Sequence, residues 1–418
     1  MAIPSSTDHP IHIADTPRLG LVPVEVPPAS GASGPASPLT VLITNQVMDW
    51  PSGTVIYARD LALELLRRGH RPIVYTWFPG RISRQLEAAG VEVVTSLWRL
   101  GERPDVIHGH HRRLVRGALL RFPDVPVVAF CHNPTDPWDA PTPDAGIARY
   151  CGVSSRCAER LMSIGAPAAA TEVRPNFVDL NRFAIRNALP AEPRRALVFS
   201  NYASSRSYLP TIGAAASRLG MSLDVVGHDA HHESDEPERL LSSYDLVFAV
   251  GKSALEAMAV GCAVVLCDRP GLGPMVTAGD FVRLRQLNFG LMTLTQPITE
   301  DGIARECARY DPADAERVRT LVRSYCGLER AVDDLLALYR QVIADRAAAV
   351  AGLGAGNAVP RRRSSPRHWM AGFRYRLTSR ATIAFYRAAG PGPRRVPPVL
   401  LPPYRLARTV FRRLAGVR

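Results

Sequence analysis

Residues Asp245–Asp268, DLVFAVGKSALEAMAVGCAVVLCD, constrain the fold of this 418-residue chain more than any other stretch. Leu246–Val250 is a short apolar run that stops at Gly251. Ser253 opens a helical spacing that Gly261 closes, and Cys262–Cys267 is a second apolar run. This pattern reads as one βαβ unit, which forces parallel strands with helices over their faces. The turn Gly251-Lys252-Ser253 aims backbone N–H groups and the positive end of a helix at one spot. That geometry suits an anion such as a diphosphate. Lys252 is the only lysine; every other one of the 51 Lys and Arg positions is arginine.

The same alternation runs along the chain. Thr40–Thr44 reads as a strand, a loop through Gly53 follows, and Val55–Arg68 has helical spacing that Gly69 ends. Strand and helix patterns then alternate to Val125–Cys131, which stops at His132. Ala196–Ser200 opens a second series that contains the βαβ unit. Phe289–Leu294 reads as a further short strand, and helical patterns fill Thr299–Arg309, Pro312–Tyr325 and Leu328–Asp345. The expected organisation is a disordered extension at 1–38, an α/β domain at 39–186, a second at 187–346, and a linker with a basic tail at 347–418. Asn187–Arg194, with two prolines, marks the linker between the domains. Ligands of open α/β sheets sit beyond the carboxyl ends of the strands, where Gly53, His132 and Gly251 fall.

Composition excludes several classes. With 46% apolar residues the body is globular, no run reaches membrane-spanning length, and the N-terminus lacks a signal pattern. The seven cysteines form no CxxC pair and read as reduced core thiols. The net charge of +13 belongs to the end of the chain. Residues 361–418 hold fifteen arginines and no Asp, Glu or Lys, leaving 36 basic against 38 acidic residues elsewhere. That tail reads as an arm for an anionic membrane surface, as a non-specific nucleic-acid contact, or as a solvated extension. The near-neutral body argues against a specific nucleic-acid partner.

Four segments resemble the GT-B glycosyltransferases, in particular the retaining family 4. They are GTVIYARDLALELLRRGHRPIVYT (Gly53–Thr76), RPDVIHGHH (Arg103–His111), VRPNFVDLNRF (Val173–Phe183) and LEAMAVGCAVVLCD (Leu255–Asp268). The resemblance implies two Rossmann-like domains with parallel sheets facing a central cleft. It implies a nucleoside-diphosphate sugar as co-substrate, no cofactor, no metal, and retention at the anomeric carbon. It places Glu256 on the nucleotide ribose, His132 beside the reacting sugar, and Gly53 near the donor phosphates. Three positions depart from the pattern. Phe248 stands where the family has an earlier glutamate. Arg206 is the one basic candidate after the first strand of the second domain, where the family has an Arg and a Lys. Phe177 replaces a glycine.

Each candidate has a plainer alternative. Lys252 is a phosphate contact replacing the lost clamp, or a solvated loop lysine. Glu256 holds a ribose, or closes a capping box with Ser253. Gly53 and Thr54 cradle a phosphate by backbone N–H groups, or merely open a helix. His132 acts at the reacting centre, or is a satisfied strand-end histidine. Asp136 and Asp139 touch the acceptor, or are solvated loop acids. His108, His110 and His111 lack a nearby carboxylate and are not read as a metal site. The expected function is sugar transfer to a lipid- or glycan-linked acceptor in cell-envelope synthesis, by a cytoplasmic protein peripheral to the inner face of the plasma membrane. The alternative is a GT-B-like binding scaffold without catalysis.

Overall fold

The computed structural model describes residues 37–136, 138–234, 236–352, Gly372 and Tyr375. The expected N-terminal extension and nearly all of the basic tail lie outside them. In the first half the elements are β1 (Thr40–Thr44), β2 (Val47–Met48), α1 (Gly53–Arg67), β3 (Arg71–Tyr75), β4 (Phe78–Pro79), α2 (Arg81–Ala88), β5 (Glu92–Val94), β6 (Val106–Gly109), α3 (Arg112–Arg121), β7 (Val127–Cys131), β8 (Ile147–Gly152), α4 (Ser155–Ser163) and β9 (Thr171–Val173). In the second they are β10 (Arg195–Phe199), α5 (Leu209–Arg218), β11 (Ser222–Val226), α6 (Pro237–Leu241), β12 (Leu246–Ala249), α7 (Gly251–Val260), β13 (Ala263–Asp268), β14 (Gly271–Met275), α8 (Phe281–Gln286), α9 (Glu300–Cys307), α10 (Pro312–Tyr325) and α11 (Leu328–Gly352).

Two sheets result. The first has the order β5-β3-β1-β6-β7-β8-β9 and is parallel throughout. The second has the order β11-β10-β12-β13-β14, parallel except for β14. Continuous apolar runs such as Val41–Ile43 and Leu246–Ala249 are buried because helices cover both faces. The strand order reverses between β1 and β6 and again between β10 and β12. Those two switch points are where such sheets hold ligands.

The division between domains differs from the proline-marked boundary at 187. Phe177 packs in the core of the first sheet, and Val178 in that of the second. The return crossing lies between Cys326, in the second core, and Leu328, in the first. Val178 and Gly327 pair in a parallel bridge. The Val178 N–H donates to the Cys326 carbonyl at 2.9 Å, and the Leu328 N–H to the Val178 carbonyl at 2.9 Å. Helix α11 therefore belongs to the first domain, with Val332, Leu335 and Tyr339 in its core.

Three local expectations are corrected. Phe289–Leu294 is not a strand: Asn288 and Phe289 both have positive φ, which breaks an extended chain, and Leu291–Thr293 is a 3₁₀ turn. Residues 347–352 are not linker but the end of α11, as their alanines favour. Tyr375, within the expected free tail, is buried against the first domain, with its ring 5.9 Å from that of Trp98.

Candidate functional site

Between the sheets, the starts of α1 and α7 line one cavity of about 80 Å³. Ser52 and Gly53 come from the first domain. Ser200, Asn201 and Gly227 come from the strand ends of the second domain, and Lys252, Ser253 and Glu256 from α7. Helix α7 begins at Gly251, whose φ of 58° is a left-handed value that suits glycine. Its N–H donates to the Phe289 carbonyl at 2.7 Å. The next two N–H groups, of Lys252 and Ser253, have no acceptor among the described residues, so they and the helix dipole face the cavity as anion donors. Gly227 is sterically required, since a Cβ there would lie 1.9 Å from the Ser200 carbonyl oxygen.

The capping box does not form. The N-cap of α7 is Val250, without a side-chain cap. Glu256 instead lies 3.6 Å from the Lys252 ammonium. Burial, with the Asp60 carboxylate close by, raises the Glu256 carboxyl above its ordinary range despite Lys252.

Lys252 is neither a solvated loop residue nor free for a phosphate. Its Nζ lies 2.9 Å from Asp60 Oδ2 on α1 and 3.0 Å from the Phe177 carbonyl oxygen, with both side chains of the ion pair 4% exposed. Arg59 holds the other Asp60 oxygen at 2.6 Å. Burial would raise the Asp60 carboxyl, but Lys252 and Arg59 hold it below its usual value. The lone lysine is thus a tie between domains. The other cations of the cavity are also paired, Arg59 with Asp60 and Arg182 with Glu238 at 2.7 Å.

The remaining sequence candidates separate. Thr54 is the second residue of α1, half-buried and not a lining residue. Arg206 is exposed and lines a different, polar groove with Tyr202 and Arg269, so it does not join Lys252 and Glu256. His132 lies outside the cavity lining; its ring stacks on His110 at 4.7 Å and meets Tyr57 edge-on at 5.0 Å. Burial lowers its pKa to about 4, so the imidazole is neutral near pH 7, and its buried Nε2 has no partner. Asp139 is corrected: buried, it accepts the backbone N–H groups of His132 and Asn133, and so shapes the loop instead of meeting an acceptor. Asp136 is exposed and accepts the Trp138 N–H at 2.8 Å.

At the lip, Arg81 pairs with Glu233 at 3.0 Å, Asn201 Nδ2 donates to the Pro51 carbonyl at 2.8 Å, and Trp50 stacks on His228. Sequence reasoning missed Asp60, although an Arg-Asp pair inside the apolar spacing of α1 is a readable signal. It also missed Asn288-Phe289. The Asn288 Oδ1 accepts the Asn176 N–H at 3.0 Å and the Phe289 carbonyl accepts that of Gly251, so this strained turn joins the interdomain crossing to α7. Two left-handed non-glycine residues cost on the order of 1–3 kcal/mol each, offset here by those bonds.

Two doubly wound sheets with a cleft between their switch points define the GT-B fold. Similar solved structures include Anabaena HepE with UDP and glucose, 14% identical over 72% of this chain and 99% of that one, at a TM-score of 0.52. A glycosyltransferase from Rickettsia africae is 13% identical over 74% and 99%, at 0.54. Sucrose-phosphate synthase from Thermosynechococcus elongatus is 18% identical over 73% and 100%, at 0.51. At such identities the likeness is one of fold. No curated protein matches the chain in sequence. Residues 51–182 match the family model Glycosyltransferase Family 4, and the fold is the one these solved glycosyltransferase structures share.

Proposed function

We propose that the cleft binds a nucleoside-diphosphate sugar and transfers its sugar to an acceptor hydroxyl, with retention and without a metal. The supporting observation is that Glu256 and the starts of α1 and α7 line one cavity between the domains. Glu256 takes the ribose diol. The Lys252 and Ser253 N–H groups receive the diphosphate and stabilise it as it departs. With every lining cation already paired, the helix ends supply the positive potential in place of the lysine clamp. Domain closure aligns the anomeric carbon with the acceptor on the first-domain side, where His132 stands. The acceptor is lipid- or glycan-linked, and the role is in cell-envelope polysaccharide or glycolipid synthesis at the cytoplasmic side of the membrane. Among the described residues no helix is long and apolar enough to cross a membrane.

A thermal-shift panel of UDP, GDP, ADP and their sugars tests the donor, followed by a donor hydrolysis assay on whichever nucleotide binds. If no nucleotide raises the melting temperature, the reading fails. A non-catalytic scaffold is favoured by one observation: Phe248, at the position of the family's earlier glutamate, is wholly buried in β12 and contributes nothing to the cleft. Donor binding with no sugar released on any acceptor supports that alternative.

A further inference from the structure

A second cavity, of about 150 Å³, lies where the chain crosses between domains. Its walls include Arg174 after β9, Arg285 on α8 and Arg330 on α11, with Asp334 as the one acidic side chain. Tyr57 and Phe177 close it toward the cleft. Arg174 is engaged on one edge by Glu172, at 3.0 Å. Arg330 and Asp334 are exposed.

Arg285 is the unusual member. Its side chain makes no hydrogen bond or ion pair among the described residues, and its Nη1 is buried without a partner. The residue as a whole is half-buried, yet a guanidinium N–H group shut off from water without an acceptor is costly, and folded proteins pair such groups with an anion or with acceptors. Burial here depresses its pKa from the ordinary arginine value, with the Cys326 thiol the only group opposing that. The turn that follows, Asn288-Phe289, is bound to Asn176 and Gly251, so α8 is fixed in place and the guanidinium is not a mobile surface group.

We infer that Arg285, with Arg174 and Arg330, forms a binding site for a phosphate-class oxyanion at the domain crossing. Arginine suits this ligand because its planar fork meets two oxygens of one tetrahedral anion. The volume is about ten times what a single water requires, enough for a phosphate with its waters. The cavity is separate from the nucleotide cleft, since Glu256, Ser253 and Gly53 line only the other. Two sources carry the same chemistry: a free phosphate, or the phosphate of a lipid-phosphate acceptor reaching in from the first-domain side.

Thermal unfolding of the full chain tests this, in inorganic phosphate and in a soluble alkyl phosphate, each against chloride of equal ionic strength. Wild type is expected to gain stability with at least one of them. A response to both indicates a bare phosphate site, and a response to the alkyl phosphate alone indicates an acceptor site. Arg285→Met is expected to lose affinity about tenfold or more. It should also unfold at a higher temperature than wild type in phosphate-free buffer, because it removes a cationic donor whose Nη1 is buried without a partner. Arg330→Gln, at an exposed position, should keep the wild-type fold and bind severalfold more weakly. The inference is overturned if neither anion stabilises wild type, if Arg285→Met responds as wild type does, or if Arg285→Met is the less stable protein without phosphate. It stands independently of the donor reading: phosphate binding here with no nucleotide binding in the cleft would leave this site and remove that reading.

Discussion

Replacing Lys252 by methionine separates a domain tie from a phosphate ligand. Methionine keeps the length and apolar stem of the side chain and removes its charge. The lysine and Asp60 face each other at 2.9 Å with 4% exposure each, so the loss strands a buried carboxylate. Breaking such a pair from one side costs roughly 3–5 kcal/mol. Arg59 remains on Asp60 at 2.6 Å, and Glu256 is relieved by taking up a proton, so the lower end applies, about 3 kcal/mol. Urea unfolding should show this as a lower midpoint at unchanged slope. The double variant Lys252→Met/Asp60→Leu should recover most of the loss, because an apolar pair carries no desolvation penalty. The resulting cycle then gives the coupling directly. Donor affinity, measured by calorimetry below the unfolding range, should change little beside the loss of stability. An unchanged urea midpoint with donor affinity down tenfold would refute the reasoning and return Lys252 to the diphosphate.

Glu256→Gln should bind donor about tenfold or more weakly by calorimetry, since a charge-accepting partner of the ribose is lost. Its stability should equal or exceed wild type above the carboxylate range. The raised carboxyl of Glu256 favours the fold while protonated and loses that contribution as pH rises through its folded value, which the amide does not. His132, lowered to about 4, should show no imidazole titration by NMR between roughly pH 5 and 8. Because the unfolded chain takes up that proton first, stability should fall as pH drops below the ordinary histidine value, by ~2 kcal/mol between pH 7 and 5 from His132 alone. His108 and His110, also depressed by burial, act in the same direction. A stability curve flat over that interval contradicts this. Arg81→Ala removes a lip pair worth under about 1 kcal/mol. A cleft of about 80 Å³ must widen to several hundred for a nucleotide, so stopped-flow association of donor should speed up. Slower association would argue against a gating lip.

The alternation of apolar runs and helical spacings made the sheets legible, because parallel strands buried on both faces leave an unbroken signal. Thr40–Thr44 and Pro312–Tyr325 fall where their patterns place them. The errors concern which partner a group takes, near or far in sequence. Phe289 looked extended because Phe-Gly-Leu-Met is apolar, yet its carbonyl is committed to Gly251, a partner remote in sequence. Ser253-x-x-Glu256 had capping-box spacing, but an ammonium four residues earlier offered Glu256 a better partner than the backbone. Lys252 stood out by its rarity and its place at a helix start. Its role depended on Asp60, which only the closed fold brings near. Asp139 was read by its position in a loop, while its carboxylate turned inward to two N–H groups. Local pattern carried the scaffold; the partner each side chain takes in the fold, as Lys252 takes Asp60 across the cleft, decided what the site residues do.

The paired crossings at Val178 and Gly327 give the molecule a spine. Two covalent tethers hydrogen-bonded side by side resist twisting and sliding in a way that a single linker does not. What they leave free is rotation about one line, as with the cover of a book. Arg81 and Glu233 join the two domains at a second place, and the arginine-lined cavity lies against the binding. Motion about such a line moves the edge far and the spine little. Donor entry would thus swing a wide arc while the anion pocket stays nearly unchanged, so a ligand lodged at the spine could stiffen the hinge without ever meeting the nucleotide.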